Sequence, residues 1–311
     1  MQSLLLQNYK NFEALIVDDG SPDNSIKLAK ATVGADPRFL FFEKENGGQG
    51  TARNLALDHA KGDYITFLDS DDYYNHEALA VIHTELAKDT SVDVLAFGIN
   101  YVDEQGTLLS QQSQPTSILN TDNDVLLLKR TLTNFFWDKV FKKEVISNFR
   151  FSTLIRTYED VDLLYQVLYG CKIKNIPDCL HNYTQRLGST SYSLTSGFFQ
   201  DKKNIVLNAK RFLLEKDIFE KNKEYYTSYY LVEMFYKPLR QIAMYSEDYN
   251  RDIEKLLSIA DNTMLSFKNI YYLKPYYSIK IVIHLLSFKM NKTLFRVLLR
   301  SLTSIRRGKT V

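Results

Sequence analysis

The sequence predicts an α/β protein, with a doubly wound, mostly parallel sheet followed by a helical C-terminal region. Three observations carry this. Short apolar strands alternate with amphipathic helices over the first hundred residues. The strands run into acidic or glycine-rich turns, and ligands on such sheets sit at the carboxyl ends of strands. From about Phe198 onward the chain reads as helical and rich in tyrosine. A boundary near residues 195–200 separates region 1–197 from region 198–311.

The elements follow in order. Phe12 to Val17 is an apolar strand that enters the polar turn Asp18-Asp19-Gly20-Ser21-Pro22-Asp23. Ser25 to Val33 is a helix with Ile26, Leu28 and Ala29 inward. Phe39 to Phe42 is a second strand, leading to the loop Asn46-Gly47-Gly48-Gln49-Gly50. Thr51 to Ala60 is a helix, stopped by Lys61-Gly62-Asp63. Tyr64 to Leu68 is a third strand, closed by Asp69-Ser70-Asp71-Asp72. A helix from about His76 to Ala87 and a strand at Val92 to Phe97 complete the alternation. Beyond Tyr101 the rhythm changes. Asp103-Glu104-Gln105-Gly106 is a hairpin turn, Asp122 to Leu132 and Asp160 to Tyr169 are helices, and Cys179 to Tyr183 is a short strand. Pro238 and Pro275 break the C-terminal helices, because proline lacks the amide that a helix interior needs.

Composition narrows the class. The chain has 311 residues, 45% hydrophobic and 24% charged, the balance of a globular protein. Its two cysteines, Cys171 and Cys179, form neither a metal quartet nor a disulfide framework, which fits a reducing compartment. No signal peptide is visible and no uncharged apolar run reaches ~18 residues. The five histidines make no ligand spacing. The net charge of +2 conceals an asymmetry, since no Asp or Glu follows Asp261 while Lys and Arg continue to Lys309. Lys292, Arg296 and Arg300 recur every four residues and form one stripe, with Leu294, Phe295, Leu298, Leu299 and Leu302 on the other side. A basic amphipathic helix can lie in a bilayer interface; packing on the catalytic region with a solvated basic face is the equal alternative. Nucleic acid is disfavoured, because the basic residues are not spread over the motif-bearing half.

Four segments carry candidate chemistry. The strand Tyr64 to Leu68 delivers Asp69, Asp71 and Asp72 within four residues. Carboxylates this close repel unless a cation sits among them. Mg²⁺ or Mn²⁺ takes one or two carboxylates plus substrate phosphates and would neutralise a leaving diphosphate; helix capping is the plain alternative. At the first strand's tip, Asp18 or Asp19 can accept from a base N–H or a ribose hydroxyl, or simply form an Asx turn. Asn46, Gly47 and Gly48 precede a helix whose amides attract phosphate, with Arg53 one turn in, able to pair with phosphate or with a neighbouring Asp. Glu159 and Asp160 open a helix, where acids serve the dipole or, in the right place, a general base.

Taken together, these strings resemble the family-2 glycosyltransferases of GT-A fold. The matching segments are Asn8-Tyr9-Lys10-Asn11-Phe12-Glu13, Val17-Asp18-Asp19-Gly20-Ser21, Asn46-Gly47-Gly48 with Ala52-Arg53-Asn54, Phe67-Leu68-Asp69-Ser70-Asp71-Asp72, Trp137-Asp138-Lys139-Val140-Phe141 and Tyr158-Glu159-Asp160. The string from Tyr183 to Ser191 resembles the family's acceptor-side segment. The resemblance implies a nucleotide-sugar donor, with UDP-sugar favoured, and a Mn²⁺ or Mg²⁺ cofactor. It implies Asp18 or Asp19 at the base, Asp69 at the ribose, Asp71 and Asp72 at metal and diphosphate, Arg53 near the nucleotide, and Asp160 as base with Glu159 beside it. Inversion of the anomeric carbon, a glycan or polyprenyl-linked acceptor, and a role in capsule, exopolysaccharide or cell-wall synthesis follow from the same likeness. So does a cytoplasmic protein, peripheral on the inner face of the membrane. Trp137 would belong to the acceptor-side wall. Two departures stand out. The family's usual opening strand is missing ahead of Met1-Gln2-Ser3-Leu4-Leu5-Leu6, which would leave its neighbours' ladder groups unpaired. The Gln-x-x-Arg-Trp string of processive members is also absent, so one sugar per encounter is expected. Rival readings are a degenerate glycan-assembly subunit and a nucleotidyltransferase.

Overall fold

A computed structural model describes residues 1–113, 115–120, 132–186, 194, 197–273, 278–291 and 295. The helix expected over Asp122 to Leu132, Leu132 apart, the string from Leu187 to Ser191, Pro275, and the stripe of Lys292, Arg296 and Arg300 lie outside these residues. Two compact units emerge: one holds the described residues up to 186 apart from Leu132, and the other holds Leu132 and the described residues from 194 onward.

The first unit opens with a short helix α1 (Gln2–Leu5) and alternates as the patterning requires: β1 (Ala14–Asp18), α2 (Ser25–Val33), β2 (Phe39–Glu43), α3 (Gln49–His59), β3 (Tyr64–Thr66), β4 (Tyr73–Tyr74), α4 (Ala78–Lys88) and β5 (Val94–Val102). Leu28 of α2, expected inward, is exposed. Then come β6 (Leu108–Gln112), β7 (Ser117–Asn120), β8 (Lys139–Lys142), α5 (Lys143–Ile146), α6 (Glu159–Leu168) and β9 (Lys172–Thr184). The turn at Asp103 joins β5 to β6 as an antiparallel hairpin. The short strand expected at Cys179 is the end of β9, 13 residues long, because it runs the length of β5 as its parallel neighbour.

The sheet is mixed. Among the described residues only β1 with β2 and β5 with β9 pair in parallel. Strands β3, β8, β5, β9 and β4 follow one another in the larger sheet, with β6 on β5 and β7 on β9. Strands β1 and β2 form a separate pair. No ladder joins β1 to β3, although their beginnings are tied by Glu13, whose Oε1 accepts from the amides of Lys61 (2.5 Å) and Gly62 (3.0 Å). Every residue of both strands is only half-buried. A strand inside a parallel sheet is normally covered on both faces and laddered on both edges. One edge of β1 and one edge of β3 carry no ladder among the described residues.

The core of this unit lies between α4 and the larger sheet, where Ala78, Ile82 and Leu86 meet Leu95, Phe97, Val140 and Ile176. A second apolar cluster of Phe67, Phe136, Phe141 and Phe151 packs edge-to-face and tilted, at centroid distances from 4.8 to 6.3 Å. This cluster forms the floor of the candidate site.

The second unit is helical: α7 (Phe198–Glu215), α8 (Phe219–Tyr230), α9 (Lys237–Tyr245), α10 (Tyr249–Ile259), α11 (Phe267–Tyr271) and α12 (Ile279–Met290). Pro238 does not break the chain as expected. A π-helical turn over Leu231–Tyr236 carries α8 directly into α9, with the proline in the first turn of α9. The wider π ladder absorbs the bond that proline cannot donate.

Candidate active site

The site is built on Arg53. It lies one turn inside α3 and is almost wholly buried, its guanidinium 5.3 Å from the centroid of Phe151 and 5.9 Å from that of Phe67. Its planar fork joins three carboxylates. Nη2 donates to Asp69 Oδ1 at 3.0 Å, and Nη1 donates to Glu159 Oε1 at 2.9 Å and to Asp160 Oδ1. Gln49, at the start of the same helix, adds a bond to Asp69 Oδ1 at 2.8 Å. The approach is close: a Cβ on Gly50 would stand 3.1 Å from Phe151 Cβ, so only glycine lets α3 come this near.

Local backbone aims the acids. Tyr158 holds a left-handed conformation (φ 72°), uncommon for a bulky side chain, and turns the chain into α6 just before Glu159 and Asp160. Three carboxylates around one cation leave an excess of negative charge. Burial, and then the charge of Asp160, push the Glu159 carboxyl up to about 7 against the pull of Arg53. The Asp160 carboxyl is raised as well, by burial first and by Asp69, with Arg53 and the Phe136 amide pulling the other way.

The tip of β1 joins the same end of the fold. Asp19 accepts from Lys44 Nζ at 2.6 Å, Gly47 N at 3.0 Å and Gly48 N at 2.7 Å. Burial would raise this carboxyl, but Lys44 and the two amides outweigh it and hold it below its usual range. The amides of Gly47 and Gly48, expected to cradle phosphate, therefore hold Asp19. Gly20 (φ 74°) sits so close to Asn46 that a Cβ would fall 2.9 Å from the Asn46 amide nitrogen. Asp18 Oδ1 accepts from Ser21 N at 3.2 Å, three residues on, and so closes the turn.

In the acidic turn the three aspartates part company. Asp69 faces Arg53 and is a quarter exposed. Asp71 is a third exposed and pairs with Arg186 at 2.8 Å. Asp72 points inward: Oδ2 accepts from His181 Nε2 at 2.8 Å, and Oδ1 accepts from Thr184 N at 2.8 Å. Pairing Asp72 with Asp71 as metal ligands, as the sequence suggests, meets a physical obstacle, because both Asp72 oxygens are committed in a buried pocket. Its geometry is that of a residue that fixes the turn. Among the described residues no trio of His, Cys, Asp or Glu is arranged to hold a metal alone. The donor set still fits a divalent cation of the kind that uses one or two carboxylates and completes its shell with substrate phosphates. Asp71 already attracts a cationic group, and Asp69 is two positions away from it.

Sequence reasoning missed His181. It is fully buried, stacked on Trp137 at 4.4 Å between centroids and edge-on to Tyr74. No motif spacing signals it, because its partner Asp72 lies more than a hundred residues away. Lys139 was quoted only as part of a string. Its buried ammonium bonds Asp138 at 2.6 Å, Thr133 Oγ1 at 2.7 Å and the Phe135 carbonyl at 2.8 Å, which fixes the loop that carries Phe135, Phe136 and Trp137 beside Asp160. Trp137 itself is buried and stacks on Phe135, His181 and Tyr183.

A family profile, Glycosyl transferase family 2, matches residues 1–150, the stretch that holds β1, α3, the acidic turn and Trp137. Over those residues the chain belongs to that family. This glycosyltransferase is 25% identical over 276 residues to the cholesterol galactosyltransferase of Borreliella burgdorferi, covering 82% of this chain and 76% of that one. It is 47% identical to an uncharacterized glycosyltransferase of Haemophilus influenzae over 78 residues, 25% of this chain and 31% of the relative. Its fold matches S. aureus TarS in complex with UDP-GlcNAc, with a TM-score of 0.66, 20% identity, and coverage of 99% of this chain and 86% of that one. A mannosyltransferase of Pyrobaculum calidifontis, in complex with GDP-Man and Mn²⁺, aligns with a TM-score of 0.52 at 14% identity, over 100% of this chain and 82% of that one. At these identities the likeness to the solved structures is one of fold, and that fold is GT-A.

Proposed function

We propose that this glycosyltransferase moves one sugar, with inversion, from a nucleotide-diphosphate donor to a hydroxyl of a lipid-linked or glycan acceptor in cell-envelope polysaccharide synthesis. The observation that carries the reading is the Arg53 cluster, which ties the turn after β3 to the acids that open α6. Asp160 takes the proton from the acceptor hydroxyl as its oxygen attacks the anomeric carbon. The bond from that carbon to the diphosphate oxygen breaks, and the nucleoside diphosphate departs with the electron pair. One base suffices for a single in-line displacement. Glu159 stands beside it toward the acceptor, and Arg53 holds both acids in register. Asp69 and the turn at Asp18 and Asp19 lie on the nucleotide side. A UDP-sugar is the favoured donor; structural neighbours have been solved with both UDP-GlcNAc and GDP-Man. Asp71 would hold Mn²⁺ or Mg²⁺, with Asp69 adjacent and Asp72 shaping the turn from behind. When bound, the ion supplies charge stabilisation to the leaving diphosphate. The cholesterol galactosyltransferase relative supports a hydroxyl on a membrane-borne acceptor.

A second reading is a glycan-assembly subunit without turnover, favoured by the unladdered edges of β1 and β3. Titration with UDP and Mn²⁺, followed by assay of UDP release from a panel of UDP-sugars, separates the two. Metal-dependent binding that Asp71→Ala removes, with turnover that Asp160→Asn removes, supports the enzyme. A folded protein that binds no nucleotide in any metal supports the subunit.

A further inference from the structure

The helix α12 is apolar nearly all the way round, yet only half of it is covered. Ile281, Val282, Leu285 and Phe288 are buried on one side. On the other, Ile279 is 62% exposed, Ile283 49% and Met290 73%. At about 100° per residue these three fall within an arc of roughly 40°. Lys280 and Lys289, both exposed, flank that arc about a quarter turn away on either side. The short helix α11 extends the patch. Its Phe267 is exposed and lies under Lys289, whose ammonium is 5.2 Å from the ring centroid and donates to the Leu265 carbonyl at 2.7 Å. Lys268 is exposed beside it, and no Asp or Glu occurs anywhere in the sequence after Asp261.

An apolar face that water would otherwise wet, edged only by lysines, has a specific use. Long lysine stems lie along apolar surface while their ammonium groups reach outward to anionic headgroups. With 12 residues, α12 is about 18 Å long, too short to cross a hydrocarbon core of about 30 Å. No helix among the described residues is long and apolar enough to cross a membrane. We infer that the Ile279–Ile283–Met290 face of α12, with Phe267 of α11, lies flat in the headgroup region of an anionic lipid surface. A second copy of the chain fits this face less well. A twofold pairing would set lysine edges against lysine edges with no carboxylate on either helix to relieve them. The inference deepens the proposed reading of a membrane-borne acceptor, and it concerns residues apart from those expected at Lys292, Arg296 and Arg300.

The test is flotation of the full chain with vesicles of phosphatidylcholine containing 30% phosphatidylglycerol, against pure phosphatidylcholine, at low and high salt. The wild-type chain should float with the anionic vesicles and less with the neutral ones. The triple variant Ile279→Ser/Ile283→Ser/Met290→Ser should bind roughly tenfold more weakly or worse, with its melting temperature and its UDP-sugar hydrolysis in solution unchanged. Ile283→Trp should show a blue-shifted emission with anionic vesicles. The proposal is overturned if the wild type stays with the protein fraction, or if the triple variant floats as well as the wild type. It is equally overturned if light scattering finds a dimer that the triple variant dissociates and no vesicle binding. Because hydrolysis in solution is read separately, loss of donor chemistry and loss of lipid binding are distinguishable failures.

Discussion

Two buried ionic clusters use the same ingredients in opposite proportion. At Arg53 one cation serves three carboxylates. In the helical unit, Glu233 serves two cations, bonding Lys202 Nζ at 2.7 Å and also Lys237. In the second cluster burial alone would raise Glu233, but the two lysines overcome it and hold the carboxyl down at about 2. Lys202 is lowered to about 8 by burial and by Lys237, against the pull of Glu233. The carboxylate there is spoken for at every working pH. At Arg53 the acids outnumber their partner, and both Glu159 and Asp160 are displaced toward neutrality, where a group can take and return a proton. Stoichiometry separates a site poised for chemistry from a staple between helices.

The largest effect should come from the cation that balances the first cluster. Arg53→Met leaves three carboxylates without their shared partner, Glu159 buried and Asp160 nearly so. It should abolish measurable turnover and cost about 3–5 kcal/mol in urea-unfolding stability. Arg53→Lys keeps the charge but loses the fork that reaches three acids, so it should rescue stability in part and turnover hardly at all. Asp160→Asn should lower kcat by about 10²–10⁴ while the UDP dissociation constant with Mn²⁺ moves little. If Asp160→Asn turns over at the wild-type rate, the comparison fails, because the excess of acid would then have no catalytic meaning.

The second cluster should respond in stability alone. Glu233→Ala takes from the buried Lys202 the carboxylate it bonds and should cost about 3 kcal/mol, with kcat of the remaining folded enzyme unchanged. Because its native carboxyl is depressed, the contribution of Glu233 is present above about 4.5, the unfolded value. It is lost as pH falls through about 2. Thermal melts between pH 7 and pH 3 of wild type and variant should converge toward the acid end.

Much of this contrast was legible in the sequence, for a physical reason. Alternation of period 2 and period 3.6 is local, so α2 was bounded at Ser25 and Val33 from its residues alone. The site acids were visible because they stand at strand tips and in the first turn of a helix, positions with their own signatures. What stayed hidden depends on partners far away in the chain. The bond of His181 to Asp72 spans 109 positions, and that of Arg53 to Asp160 spans 107. Nothing near Asp72 distinguishes an inward aspartate from an outward one. Strand β8 was concealed within a short string because three of its four residues are buried by pairing with both β3 and β5 rather than by any periodicity of their own. The π turn ahead of Pro238 shows the converse, where a local breaker is overruled by packing around it.

The finest test of the comparison is Glu159→Gln, which changes the charge count at Arg53 without emptying the space. In the wild type the raised carboxyl of Asp160, the proposed base, should make the rate fall on the acid side of the profile. With Glu159→Gln one acid fewer shares Arg53, so the acid limb should move to lower pH. Stability should move in the other sense. A carboxyl raised in the native state binds its proton more tightly there than in the unfolded chain, so its contribution is lost as pH climbs from about 4.5 through about 7. Glu159→Gln should therefore melt at a higher temperature than the wild type at pH 8 and at nearly the same temperature at pH 5. A limb that stays in place, with no gain in melting temperature at pH 8, means that Arg53 already neutralises its three acids. The contrast with Glu233 would then be one of degree only.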